Sequence, residues 1–272
     1  MNDDKLLEIA IDTAKSAGKE VMRFYTHGNF TKEIKEDDSP VTSADIAAND
    51  LIMAQLQALT PDIPIISEEV GAPALAERAN WQRYWLLDPI DGTGEFILGS
   101  GDFAVNIALI ENGWPSIGVI HAPAHQLTYY AQTGKGAFKD NGTSQHQIHV
   151  EPYIKERPVK VAISRRQELS LMGQYLNTDY EFEYVALGSC SLKNCLIAEG
   201  GADCYLRIGP TGEWDTGASQ CILEQAGGTI IDSEFGPLSY NKRESLGNPD
   251  FLSLGAQDFD WQSIIKPHST NR

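Results

Sequence analysis

Leu6, Ile9, Ala10, Thr13, Ala14, Ala17, Val21 and Phe24 recur at helical spacing and predict a helix over residues 3–26. Ser39-Pro40 interrupts the chain, Thr42 or Ser43 can cap a second helix to about Leu59, and Thr60-Pro61-Asp62 ends it. Two short buried strands are expected at 63–66 and 84–87, each running straight into acidic residues. Between 103 and 138 the apolar runs 105–110, 117–121 and 127–131 are separated by turns such as Asn112-Gly113, and an antiparallel meander is predicted. After Glu151-Pro152 strands are expected at 159–163, 184–187, 204–206 and 229–231. Helices at 191–198 and 216–225, with another between the first two strands, alternate with them. That alternation predicts layered α/β packing, with an α+β half over 1–155 and an α/β half over 156–272. No repeat, low-complexity stretch or flexible linker is visible.

A chain of 272 residues makes one large domain or two modest ones, and 42% hydrophobic residues supply a real core. Its formal charge of −17 excludes non-specific nucleic-acid binding, which needs a positive field, and disfavours an anionic membrane surface. A local site can still reverse that field for a small anion. No signal-peptide pattern opens the sequence and no apolar run is long enough for a bilayer, so a cytoplasmic protein without an integral membrane segment is expected. Cys190, Cys195, Cys204 and Cys221 form no Cys-x-x-Cys pair and are expected to be reduced thiols. Oligomeric state cannot be read from the sequence.

Four acidic clusters stand where elements end. In Asp88-Pro89-Ile90-Asp91-Gly92-Thr93 a strand closes on two aspartates, a glycine allows close backbone approach, and Thr93 opens a helix. Helix-start amides attract phosphate, and carboxylates beside them require an intervening cation such as Mg²⁺. The plainer reading makes Asp91 an N-cap and Asp88 an Asx-turn former. Ser67-Glu68-Glu69 reads alone as a solvated acidic turn. Asp45 completes a capping box with Thr42, and Asp215 reads as an N-cap before its helix. Together the four supply the oxygen ligands of a metal-assisted phosphoryl hydrolase.

The Asp88–Thr93 run resembles the first signature of the inositol monophosphatase superfamily. Trp214-Asp215 with Ala218 resembles the second, and Glu68 and Asp45 fall where that family places its other acidic ligands. Within it the chain is most similar to the CysQ-type 3′(2′),5′-bisphosphate nucleotidases. Segments 39–48, 81–85, 103–110, 192–200 and 209–215 carry that likeness. The resemblance implies an αβαβα layered sandwich and hydrolysis of adenosine 3′,5′-bisphosphate to AMP and phosphate by metal-activated water. It also implies two or three Mg²⁺ ions, lithium sensitivity and a role in sulfur assimilation. Glu68, Asp88, Asp91, Asp215 and the Ile90 carbonyl would hold metal. Gly92 and Thr93 would cradle the phosphate, and Asp45, Glu68 and Thr93 would serve the attacking water. Ser164, Lys193 and Arg207 are candidates for nucleoside and second-phosphate contacts, against a plainer reading of Ser164 as a strand end and the two cations as solvated. Some bacterial relatives are assigned to the inner face of the cytoplasmic membrane, for which the charge gives no reason here.

Three departures from the nucleotidase pattern are visible: Gly94 in place of lysine, Ser189 in place of glycine, and Gln167 in place of histidine. Alternatives on the same fold are an inositol monophosphatase or a sugar bisphosphatase, and outside catalysis a phosphate-sensing protein. His27, His121, His125, His146, His149 and His268 form no ligand spacing, and His121 is expected to be structural. Gly134-Lys135-Gly136 reads as a hairpin turn, and Trp81, Tyr84 and Trp85 as core. Asp91→Asn is expected to stop turnover and leave the fold nearly intact.

Overall fold

The computed structural model describes residues 1–35, 39–154, 156–165, 167 and 169–267. His268 and position 155, the expected boundary between halves, lie outside them. The first part of the chain gives α1 (Asp3–His27), β1 (Lys32–Ile34), β2 (Pro40–Thr42), α2 (Ser43–Leu59), β3 (Ile65–Ser67) and α3 (Leu75–Arg78). Then come β4 (Arg83–Asp91), α4 (Thr93–Leu98), β5 (Ala104–Glu111), β6 (Trp114–Ala122), β7 (Leu127–Gln132), β8 (Gly136–Asp140) and β9 (Gln145–Ile148). The remainder gives β10 (Val159–Ile163), α5 (Leu169–Tyr175), β11 (Phe182–Ala186), α6 (Cys190–Ala198), β12 (Cys204–Arg207), α7 (Glu213–Gln225), β13 (Thr229–Asp232) and β14 (Phe251–Leu254).

Strands β3 to β9 form a seven-stranded sheet in sequence order, and the second sheet has five strands ordered β11-β10-β12-β14-β13. Val105, Ile107 and Leu109 of β5 face α1 and α2, whereas Ala104, Ala108 and Ile110 face α6 and α7. Both faces are covered, which is why this strand reads as a continuous apolar run rather than an alternation. Leu192 and Cys195 of α6 and Ala218 and Ile222 of α7 also meet Tyr205, Ile230 and Phe251 of the second sheet. Met172 of α5 with Trp261 and Ile264 closes that sheet's outer face. The result is the expected αβαβα sandwich. Among the described residues, no helix is long and apolar enough to cross a membrane.

Three details differ from expectation. Helix α7 begins at Glu213, not 216, because Gly212 takes the extended capping conformation (φ −97°, ψ 164°) and its N–H donates to Asp215 Oδ2 at 2.6 Å. Asp215 is therefore in the first turn, on the helix, rather than before it. The β1–β2 ribbon carries few apolar residues, and β14 is a four-residue strand inside a Gly- and Pro-rich segment, so neither gives a periodic signal. The core and turn expectations hold: Tyr84 and Trp85 are buried, Gly134 and Gly136 bracket the β7–β8 turn, and all four cysteines are free and buried.

Candidate active site

Pro89 cannot donate to the sheet, and the pairing of β4 with β5 loses register between Asp88 and Asp91. There the Ile90 N–H donates to Asp88 Oδ1 at 3.0 Å, the expected Asx turn. The cap of α4 is Gly92 at φ +94°, not Asp91, and a β-carbon on it would sit 3.0 Å from the Asp102 carbonyl. Freed from capping, Asp91 turns its carboxylate toward Asp88 and toward Asp215 of α7. One oxygen from each of these three residues lies within 4.8 Å of the others. Burial and the neighbouring charges push Asp88 and Asp215 well above the usual carboxylate range. Three crowded carboxylates with hard oxygen donors fit a divalent cation, which would relieve the repulsion that raises them.

Asp91 is held from the other half of the chain. Its carboxylate accepts from Ser189 Oγ (2.5 Å), Cys190 N (3.1 Å), Ser191 N (2.7 Å) and Ser191 Oγ (2.5 Å), all at the start of α6. Ser189 lies at φ +46°, a conformation easier for the glycine of the family pattern, and its side chain also accepts from Leu192 N. These four donors add to the expectation for Asp91→Asn: an amide keeps one acceptor oxygen but turns an NH₂ group toward the remaining donors, so a loss of stability is expected beside the loss of turnover.

Asp45 forms the expected capping box with Thr42 N (2.8 Å) through Oδ2, and its Oδ1 accepts from Thr93 Oγ1 at 3.0 Å. One oxygen of Asp45 therefore serves the helix cap and the other meets Thr93. Burial raises its carboxyl above the ordinary range, against the opposing pull of the Thr42 and Thr93 bonds. Glu68 is not a solvated turn. It stands at the end of β3, outside the group of three, with Oε1 on Lys35 Nζ at 2.9 Å, and burial, countered by Lys35, raises its carboxyl.

The remaining candidates line a cleft of about 290 Å³ that opens from Asp91 and Asp215, and the trio of Ser164, Lys193 and Arg207 faces it. Lys193 is 2% exposed and donates to the Gly188 and Ser189 carbonyls at 3.2 and 2.6 Å, so it is not a solvated charge. Arg207 is half-buried and donates through Nη2 to the Pro210 carbonyl at 2.8 Å. Gly94 also lines the cleft. Residues not singled out from sequence are Lys35, Asp102, Arg165, Ser189 as a hydrogen-bond donor, and Ser191. A run of small residues before a helix was the only signal for the last two.

A five-layered sandwich with a buried carboxylate trio beside a helix start defines a metal-dependent phosphatase. The sequence model described as the Inositol monophosphatase family matches residues 2–260, and the chain belongs to that family. It is 41% identical to "3′(2′),5′-bisphosphate nucleotidase CysQ" of Aggregatibacter actinomycetemcomitans, over 96% of each chain. It is 46% identical to the Salmonella typhimurium protein of the same name, over 90% of this chain and 98% of that one. Among solved structures, CysQ from Bacteroides thetaiotaomicron superimposes with a TM-score of 0.80 at 33% identity, covering 93% of this chain and 98% of that one.

Proposed function

We propose that the chain is a Mg²⁺-dependent 3′(2′),5′-bisphosphate nucleotidase that hydrolyses adenosine 3′,5′-bisphosphate to AMP and phosphate in sulfur assimilation. The observation that carries this reading is a cleft lined by Asp91 and Asp215, two of the three crowded carboxylates, together with the cations Arg165, Lys193 and Arg207. A substrate with two phosphates suits it, one meeting bound cations and one meeting protein cations. The names of the relatives above point the same way.

In this reading Asp88, Asp91, Asp215, Glu68 and the Ile90 carbonyl hold two or three Mg²⁺ ions. Such ions supply charge neutralisation at the phosphoryl oxygens and lower the pKa of water. The Gly92 and Thr93 amides bind the scissile phosphate. Thr93 Oγ1 carries one proton and has two acceptors in reach, Asp45 Oδ1 at 3.0 Å and the Ile90 carbonyl at 3.1 Å. Donation to Asp45 leaves the Thr93 lone pairs to accept from the attacking water, with Glu68 helping to orient it. Asp45, its affinity for a proton raised by burial, is the terminal acceptor. Ser164, Lys193 and Arg207 face the rest of the nucleotide.

Phosphate release with Mg²⁺ from adenosine 3′,5′-bisphosphate, inositol 1-phosphate and fructose 1,6-bisphosphate, with and without lithium, tests the proposal. The highest kcat/KM is expected for the nucleotide, with lithium inhibition. Preference for inositol 1-phosphate would keep the carboxylate site and discard the nucleotide.

A further inference from the structure

Among the described residues four asparagines are buried, and three of them have partners. The Asn194 amide donates to Ser219 Oγ at 2.8 Å, and its carbonyl oxygen accepts from Ser253 Oγ at 2.7 Å. Asn49 accepts from Ser67 Oγ at 2.7 Å. Asn241 accepts from Arg78 Nη1 and donates to the Arg78 carbonyl at 2.7 Å. Asn106 breaks the pattern. It is 1% exposed, yet neither its Oδ1 nor its Nδ2 has a hydrogen-bond partner among the described residues. No other described side chain strands two buried polar atoms in this way. Burying an amide without a partner is costly, so its position calls for an explanation.

The sheet places that amide beside the acidic trio. On β4, Tyr84 and Leu86 pack toward α6 and α7 while Trp85 and Leu87 pack toward α1 and α2, so Asp88 shares the face of Leu86. On β5, Asn106 stands between Ala104 and Ala108, which occupy that same face. The register sets Asp88 and Asn106 directly opposite each other, just before the pairing slips toward Asp91. Directly opposed residues hold their β-carbons about 5 Å apart, within the span of a hydrogen bond or of one bridging water. On its other flank Asn106 meets Ile120 of β6, so Asp88 is its polar neighbour in the sheet.

Asp88 has use for such a neighbour. Its Oδ1 accepts from the Ile90 N–H at 3.0 Å, and the rest of its surroundings are the crowded carboxylates of Asp91 and Asp215. An ionised carboxylate only accepts, and an asparagine offers it two N–H donors without a charge. A lysine or arginine at position 106 would compete with the divalent cation that the trio suits, whereas an amide supports the ligand and leaves its charge to the cation. Groups that hydrogen-bond metal ligands fix their orientation in this way.

We propose that Asn106 is a positioning residue of the cation site: its amide donates to the Asp88 carboxylate, directly or across one water, when a divalent cation holds that carboxylate ionised. This inference rests on the metal reading of the acidic trio and deepens it, and it is independent of which phosphorylated substrate the cleft takes. Asn106 acts through Asp88 and not on the substrate.

Asn106→Leu keeps the size of the side chain and removes both polar atoms. Its affinity for Mg²⁺, measured by calorimetric titration of the folded variant, is expected to fall about 10- to 100-fold. Its metal-free form is expected to melt at or above the wild-type temperature, because an amide without a partner is no longer buried. A purely structural asparagine gives the reverse, a less stable metal-free protein with wild-type Mg²⁺ affinity. Asn106→Asp sets a further carboxylate beside the trio at constant size. Its metal-free melting temperature is expected to fall, and the rise on adding Mg²⁺ to exceed that of wild type. A Mg²⁺ affinity of Asn106→Leu within about threefold of wild type overturns the proposal and leaves the metal reading standing. So does a Mg²⁺-induced rise in Asn106→Asp no larger than that of wild type. A wild-type chain that takes up no Mg²⁺ in the same titration overturns both.

Discussion

Thr93 donates its hydroxyl to Asp45 Oδ1 at 3.0 Å, while the other oxygen of the same carboxylate closes the first turn of α2. One aspartate therefore serves a helix and a hydroxyl at the start of α4. Thr93→Val should lower kcat by about 10²- to 10⁴-fold with little change in KM, and Thr93→Ser should restore most of it. Asp45→Ala should add a stability loss of about 1 kcal/mol, from the lost cap, to a similar kinetic defect. Steady-state kinetics and urea melts on the three variants separate the two duties.

Asp91→Asn should abolish phosphate release and also lower the melting temperature, because four donors from residues 189–191 converge on that carboxylate. Ser191→Ala removes one of them, and a loss of about 1–2 kcal/mol is expected with activity partly retained. A melt of Asp91→Asn matching wild type would contradict the staple.

Removal of divalent cations by a chelator should stop turnover and destabilise the fold, since Asp88 and Asp215 are left beside other buried carboxylates. Returning Mg²⁺ at a hundredfold excess over its Kd should recover about 2.7 kcal/mol. In a chain of this size that is about 5 °C, readable by thermal shift.

His121 lies outside the cleft, where burial and the nearby Lys15 push its imidazole down to about 4, and its Nδ1 meets Thr128 Oγ1 at 3.0 Å. The unfolded chain takes up this proton near pH 6.5, and the folded chain only near 4. The stability it contributes is therefore full above pH 6.5 and is lost as pH falls toward 4, by at most about 3 kcal/mol. His121→Gln should flatten that part of the stability curve, measured by denaturant melts from pH 4 to 7.

Much of this molecule is legible in its sequence because local rules decide local structure. Thr42 and Asp45 announce α2, and Asp88 announces its turn, since capping and Asx geometry involve residues two or three apart. Asp215 was misplaced by the same local logic: Gly212 gives no side-chain signal as a cap. The partners of Asp91 were invisible for a different reason. Ser189 and Ser191 stand about a hundred positions away, and nothing in a run of small polar residues says which carboxylate they will meet. The same holds for Asp102 and Arg165, whose pairing exists only once β10 packs beside the end of β5's preceding turn. Departures from a family pattern were informative, however. Ser189 for glycine marks the position whose backbone is left-handed and whose hydroxyl reaches the site.

Helix α7 lies on the larger sheet through bare backbone. A β-carbon on Gly118 of β6 would come within 2.2 Å of the Ala218 carbonyl, and one on Gly217 within 3.0 Å of Leu86. Asp215 rides one turn upstream on that helix. The spacing between strand and helix is therefore a ruler for the carboxylate trio, marked off by the absence of methyl groups. Gly118→Ala, chemically silent and remote from any phosphate, should lift the helix and loosen Mg²⁺ binding, which calorimetric titration would reveal. The geometry of the acidic trio is thus set partly by hydrogen atoms at the centre of a β-sheet.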